Sequence, residues 1–362
     1  MFSRIIAFIV FFSLLCGPCL LVSAQEATAA EAAIEKATPL FHSDDILHLK
    51  LTGNLNALFK DISDNNSYHP VLLQYMQSDS SQIAFPIMAK TRGHYRRLRS
   101  VCKTPPLLLD FPALEVKNTL FAHQKRLKLV VTCSKDEYVI GEYLAYKIYN
   151  LISGRSFRDR LALVTFEDSA HKRKTETHYC FLLESDKEMA ARNGCFVIKK
   201  KMVDMRLTNQ EEFRKMAVFQ YLIGNTDWGV SFLQNIVLIT EDSLMLPFAI
   251  PYDFDQSGIV DAPYAIPHSE LNIPSVETRL YRGFCDKDMD SLSSTFALFN
   301  RLKTDIYQVY DSCPLLSSTY VKYVNRYLDA FYKTINSKRD IEEEFGNPCR
   351  LEERVEIKGL KK

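Results

Sequence analysis

The hydrophobic period of this 362-residue chain changes once, near residue 200, and that change limits the folds open to it. Before it, short apolar runs read as strands: Leu47 to Leu51, Phe85 to Lys90, Leu107 to Phe111, Leu127 to Cys133, Leu161 to Phe166, Tyr179 to Glu184 and Cys195 to Lys199. A long helix, Asp136 to Ile152, interrupts them, and shorter helical spacing occurs at Leu55, Leu58, Phe59 and Ile62 and over 186–193. Beyond residue 200 the spacing is helical. A helix is predicted from Gln210 to Ile223 behind a Thr208-Asn209 cap. Phe296, Phe299, Leu302, Ile306 and Val309 form one stripe, and Tyr320, Val324, Tyr327, Leu328, Phe331 and Ile335 another. Only a hairpin, Asn235 to Thr240 and Leu246 to Tyr252, breaks that half. Strands collected in one half and helices in the other make an α+β chain.

The N-terminus adds an address. Arg4 is followed by an apolar run from Ile5 to Val22 and then Ser23-Ala24-Gln25, the three parts of a secretory signal cleaved after Ala24. The division expected is a signal peptide over 1–24, a mobile leader over 25–40, a strand-rich lobe over 41–200, a helical lobe over 201–349 and a charged tail over 350–362. An exported, periplasmic or extracellular chain follows, with no stable membrane anchor after cleavage. Cys16-Gly17-Pro18-Cys19 spells a redox motif but lies in the disposable segment, so it is assigned no such role. Seven cysteines remain, and their spacing leaves disulfide pairing open.

Forty-five basic residues against forty-four acidic ones provide no overall field for a nucleic acid or an anionic membrane. No nucleic-acid partner is expected. The chain has no HExxH, G-x-S-x-G or Walker loop, which excludes the commonest hydrolase and NTPase sites.

Carboxylates around 213–255 carry the chemistry. A helix stops at Ile223-Gly224, a loop holds Asn225-Thr226-Asp227-Trp228, a hairpin opens at Asn235, and its second strand ends in Asp253-Phe254-Asp255. Phosphoryl transfer needs one carboxylate to orient the attacking group and others to hold magnesium against the phosphates.

The stretch Phe219 to Asp227, followed by Pro251-Tyr252-Asp253-Phe254-Asp255, resembles the spore-coat protein H family of secretory kinase-like proteins and, more distantly, the HipA toxin kinases. The resemblance spans roughly residues 90 to 285 in motif order. It implies a kinase-like two-lobe fold with a strand-rich N-terminal lobe and a helix-rich C-terminal lobe, using ATP and magnesium on a protein or small-molecule acceptor. Asp227 would be the catalytic carboxylate, and Asp253, Asp255 and Asn235 the metal ligands. Lys128 would reach the nucleotide phosphates with Glu142 as its ionic partner, and Arg92 with Gly93 would form a phosphate-contacting turn. Seven residues separate Asp227 from Asn235 where protein kinases have four, and no glycine-rich loop precedes Lys128. A catalytically inactive relative has the same pattern. Asp253-x-Asp255-x-Ser257-Gly258 also opens like a calcium loop, so a calcium-stabilised binding module using Asp253, Asp255 and Asp261 is the alternative.

Overall fold

A computed structural model describes residues 37–77, 80–285, 289–346 and 348. The signal peptide, the leader up to residue 36, Cys349 and the charged tail lie outside the described residues.

The first half supplies β1 (Leu47–Gly53), α1 (Leu55–Lys60), β2 (His69–Met76), β3 (Gln82–Thr91), β4 (Leu107–Asp110), β5 (Arg126–Val131), α2 (Asp136–Ile152), β6 (Asp159–Asp168) and β7 (Glu176–Leu183). The strands close into a barrel-like sheet in the order β1-β2-β3-β4-β5-β7-β6. Its neighbours are antiparallel except β1 and β6, which run parallel with Leu49 opposite Val164. Period-two alternation sends Leu49, Leu51, Leu73, Ile87, Leu109 and Leu129 into the interior. On β5 and β7 the other face is covered as well, with Val130, Phe181 and Leu183 packing into a second core with α2. Lys128 lies on that second face.

The β2 strand is absent from the sequence reading. Its inward residues Val71, Leu73 and Tyr75 are buried, but outward Leu72 and Met76 are apolar too, which hides the alternation, and Pro70 argues against a strand.

The second half contains α3 (Asp186–Arg192), β8 (Phe196–Ile198), α4 (Gln210–Ile223), β9 (Ile236–Thr240), β10 (Phe248–Pro251), α5 (Ser293–Arg301), α6 (Lys303–Asp311), α7 (Ser318–Ile335) and α8 (Lys338–Glu344). Ser185 starts α3 with a capping box to Glu188, and the Asn209 side chain caps α4 by accepting from the Glu212 amide. Three strands form a small antiparallel sheet in the order β10-β9-β8. The stripe read as one helix from Phe296 to Val309 is two helices that meet at Leu302, which caps both.

A core built from α2, α4, β9, β10 and α7 joins the two halves. Aromatic contacts run through it: Tyr146 of α2 meets Phe254 at 4.5 Å, and Tyr149 meets Phe219 of α4 at 4.7 Å. The segment carrying the carboxylates is thereby packed directly against the helix that carries Glu142. Among the described residues no helix is long and apolar enough to cross a membrane.

Candidate active site

Gly224 ends α4 in the left-handed region at φ 67°, a conformation in which glycine carries no Cβ penalty. The turn delivers Asn225, whose side-chain oxygen accepts from the Asp227 amide at 3.0 Å. The Asp227 carboxylate accepts from Gln234 Nε2 at 3.1 and 3.3 Å and from Asn235 Nδ2 at 3.0 Å. Burial pushes Asp227 up to about 6, the nearby Asp253 charge adds to that rise, and the two amides oppose it. From below, Arg282 donates to the carbonyls of Thr226 and Trp228, which fixes the backbone on either side of Asp227. Arg279 likewise donates to the carbonyls of Tyr221, Leu222 and Tyr327.

Asp253 follows β10 at φ 64°, in the left-handed region for a non-glycine residue. Its amide donates to the Tyr146 hydroxyl at 2.8 Å, and its side chain remains about a third exposed at 32%. Asp255, two residues on, is buried.

These two carboxylates meet Glu142 around one guanidinium. Arg96 Nη2 lies 2.6 Å from Asp253 Oδ1, Nε lies 3.1 Å from Asp255 Oδ2, and Nη1 lies 3.0 Å from Glu142 Oε2. One oxygen from each of the three carboxylates falls within 4.8 Å of the other two. Burial pushes Glu142 and Asp255 upward, and the adjacent Arg96 charge opposes that rise. The guanidinium itself stays charged, its pKa raised by Asp255, Glu142 and Asp253 against the cost of burial.

Lys128 does not pair with Glu142. Its ammonium lies 3.0 Å from Asp186 Oδ1 and 4.5 Å above the Tyr252 ring, and desolvation lowers its pKa. Helix α2 turns Glu142 toward Arg96, while α3 begins directly after β7 and brings Asp186 to the strand face of Lys128. Arg92 also bears on this place, since its charge acts on both Lys128 and Tyr252. The neighbouring Gly93 turns at φ 84° in open space. A groove of ≈ 320 Å³ runs outward from Lys128, bounded by Leu108, Ser185, Asp186 and Val197.

The structure thus brings Asp227, Asn235, Asp253, Asp255, Glu142, Lys128 and Arg92 into one region. Asn235 is turned to Asp227, donating to its carbonyl at 2.8 Å as well as to its carboxylate. Asp261 is not in the carboxylate cluster, whose third member is Glu142. The residues of the region that the sequence reading does not single out include Arg96, Gln234 and Asp186. In the sequence Arg96 is one charge among Arg92, His94, Arg96 and Arg97, and nothing in spacing connects it with a residue 46 positions away. Asp186 reads as an ordinary first-turn acid of a helix.

The class defined so far is a mixed α+β protein with a barrel-like sheet, a helical half and an acidic site between them. No family model matches the chain, and no curated protein matches it. Among solved structures, the Helicobacter pylori proinflammatory kinase CtkA is similar at a TM-score of 0.39 and 14% identity, over 70% of this chain and 95% of that one. That likeness is distant and does not single out the spore-coat protein H family.

Proposed function

We propose that this chain is an exported, kinase-like phosphotransferase that uses ATP and magnesium to transfer a phosphoryl or nucleotidyl group to a protein or small-molecule acceptor. The observation that carries the reading is the position of Asp253, which brings a carboxylate oxygen within 4.8 Å of those of Asp255 and Glu142 and lies near enough to Asp227 on the loop and Lys128 on the barrel wall to act on both charges. Loop carboxylate, strand-end carboxylate and strand lysine come from three separate segments, and phosphoryl transfer needs them together. The Cys102–Cys133 disulfide supports the exported part, since such bonds persist in oxidising compartments.

The donor set fits magnesium, a hard cation that takes carboxylate oxygens. Asp253 and Asp255 would hold it, and its charge would offset that of the phosphates. Asp227 receives the proton of the acceptor hydroxyl, kept in place by Gln234 and Asn235. Lys128 and Arg92 bind phosphate oxygens, and the groove beyond Lys128 takes the rest of the nucleotide. Departure of Lys128 from Asp186 toward a phosphate is an exchange of one anionic partner for another.

A second reading, an inactive relative, is favoured by one observation: a guanidinium stands among the carboxylates that would hold the metal. Calorimetric titration of the mature chain with ATP and magnesium tests both. Binding that Asp253→Ala abolishes supports the nucleotide site, and flat titrations for both chains refute it. Transfer of label from γ- or α-labelled ATP separates enzyme from inactive relative.

A further inference from the structure

Arg96 belongs to the loop between β3 and β4, where Thr91 ends one strand and Leu107 begins the next, and no helix or strand is formed between them. Its guanidinium uses all three nitrogens, one toward each of Glu142, Asp253 and Asp255. The side chain is 7% exposed, so the charge has left water and depends on those carboxylates for compensation. Three carboxylates against one guanidinium leave an excess of acid, which invites a cation of higher charge. An ion held by these carboxylates would stand beside the Arg96 guanidinium, and the two positive charges repel.

The loop is built to bring Arg96 there and also to let it leave. On one side Gly93 stands at φ 84° with nothing within 4 Å of where a Cβ would be, and glycine is the residue with the widest backbone freedom. On the other side Cys102 is bonded to Cys133, which ties the loop to the end of β5. Arg97 donates to the Ser63 carbonyl and to Asp64, whose side chain is 70% exposed. A tether at one end, a glycine at the other and, between them, a buried Arg97 whose acid partner is exposed bound the segment that would have to move to release Arg96. Asp253, the one partly exposed carboxylate of the three, is the edge from which an incoming ion reaches the cluster.

We propose that Arg96 is an autoinhibitory internal cation: it fills the divalent-metal position, and metal with nucleotide binds only when the 93–101 segment swings away. This inference rests on the phosphotransferase reading, because that reading makes Asp253 and Asp255 metal ligands. It adds that the resting chain is self-blocked, and that the guanidinium and the divalent ion compete for the same carboxylates.

Competition is measured by titrating manganese into the mature full-length chain and following the free-ion signal by electron paramagnetic resonance. Arg96→Gln removes the competing charge and is expected to bind manganese at least roughly tenfold tighter than wild type, a gap of about 1.4 kcal/mol. Arg96→Lys, which keeps a cation, is expected to stay nearer wild type. Wild type that binds manganese as tightly as Arg96→Gln overturns the inference and leaves the phosphotransferase reading standing. Folded chains that bind no manganese, wild type and Arg96→Gln alike, overturn both. Should Arg96→Gln fail to fold, hydrogen exchange on wild type decides: amides over 93–101 are expected to lose protection on adding manganese and ATP. Unchanged protection at saturating ligand overturns the inference.

Discussion

Asn235 donates one amide to two oxygens of Asp227, the carbonyl at 2.8 Å and the carboxylate at 3.0 Å, from a backbone held at φ 50°. The loop therefore closes on itself: the residue that opens the hairpin fixes the acid eight residues before it, and both are buried. Hydrogen bonds to a charged group are worth about 1.5–3 kcal/mol, and the left-handed backbone costs a residue with a Cβ about 1 kcal/mol more than glycine. Both variants lose the hydrogen bonds, and Asn235→Ala keeps the left-handed cost that Asn235→Gly is relieved of. Urea unfolding should place Asn235→Ala lowest, Asn235→Gly about 1 kcal/mol above it and wild type highest. Equal stability of the two variants would show that φ carries no cost here.

Lys128 and Asp186 form a local ion pair beside an aromatic ring, whereas Glu142 is engaged elsewhere. A double-mutant cycle resolves this, because contacting groups couple and groups with separate partners add. Lys128→Met with Asp186→Asn should show a coupling of about 1 kcal/mol in urea unfolding, and Lys128→Met with Glu142→Gln roughly 0.3 kcal/mol or less. The reverse order would return Glu142 to Lys128 and undo the Arg96 cluster.

What the sequence made legible follows from range. The helices 136–152 and 210–223 end where the apolar spacing ends, since a helix face is a local pattern. Asp227 and Asp253 stood out because helix, loop, hairpin and strand end succeed one another in the chain. Arg96 did not, because its three partners come from a helix and a strand end that only the folded core brings beside it. The pairing of Lys128 with Glu142 was drawn from motif order. Helix α2 presents Glu142 to the β3–β4 loop instead, and the position beside Lys128 is taken by the first residue of α3. Strand β2 was obscured by its own apolar outer face, where alternation fails as a signal although the register with β1 is regular.

Stability should depend on pH through Asp159, at the start of β6. Its carboxylate is fully buried 2.9 Å from Lys147, with Asp44 and Arg158 nearby, and burial pushes it up to about 6. Lys147 gains from Asp159 and Asp44 together, but Asp159 loses more to burial than its one ion pair returns. A carboxyl with a raised native pKa favours the protonated fold, so its contribution is greatest below pH 3.8 and is lost as pH rises to about 6. Relative to Asp159→Asn, wild type should lose roughly 2 kcal/mol between pH 4 and 6 and then run parallel. Urea midpoints at unit pH steps read this, and parallel curves throughout would remove Asp159 from the account.

Gly141, next to Glu142 on α2, leaves the space that the Tyr320 side chain of α7 occupies against the helix. A Cβ added at Gly141 would overlap the Tyr320 hydroxyl and lie 3.1 Å from its Cζ. That hydroxyl donates to the carbonyls of Ile259 and Val260 at 3.1 and 3.2 Å, so it has little freedom to retreat, and Tyr310 donates to the Gly141 carbonyl at 3.0 Å. Alanine is the better helix former by about 1 kcal/mol, yet overpacking a buried contact costs about 1–3 kcal/mol. Gly141→Ala should therefore destabilise the protein by about 1–2 kcal/mol in urea unfolding, against its intrinsic propensity. Adding Tyr320→Phe removes the obstructing oxygen, so the double variant should lie above the sum of the two single changes. Strict additivity would mean that the two helices shift apart to admit the methyl group, and Glu142 would then move with α2 away from Arg96.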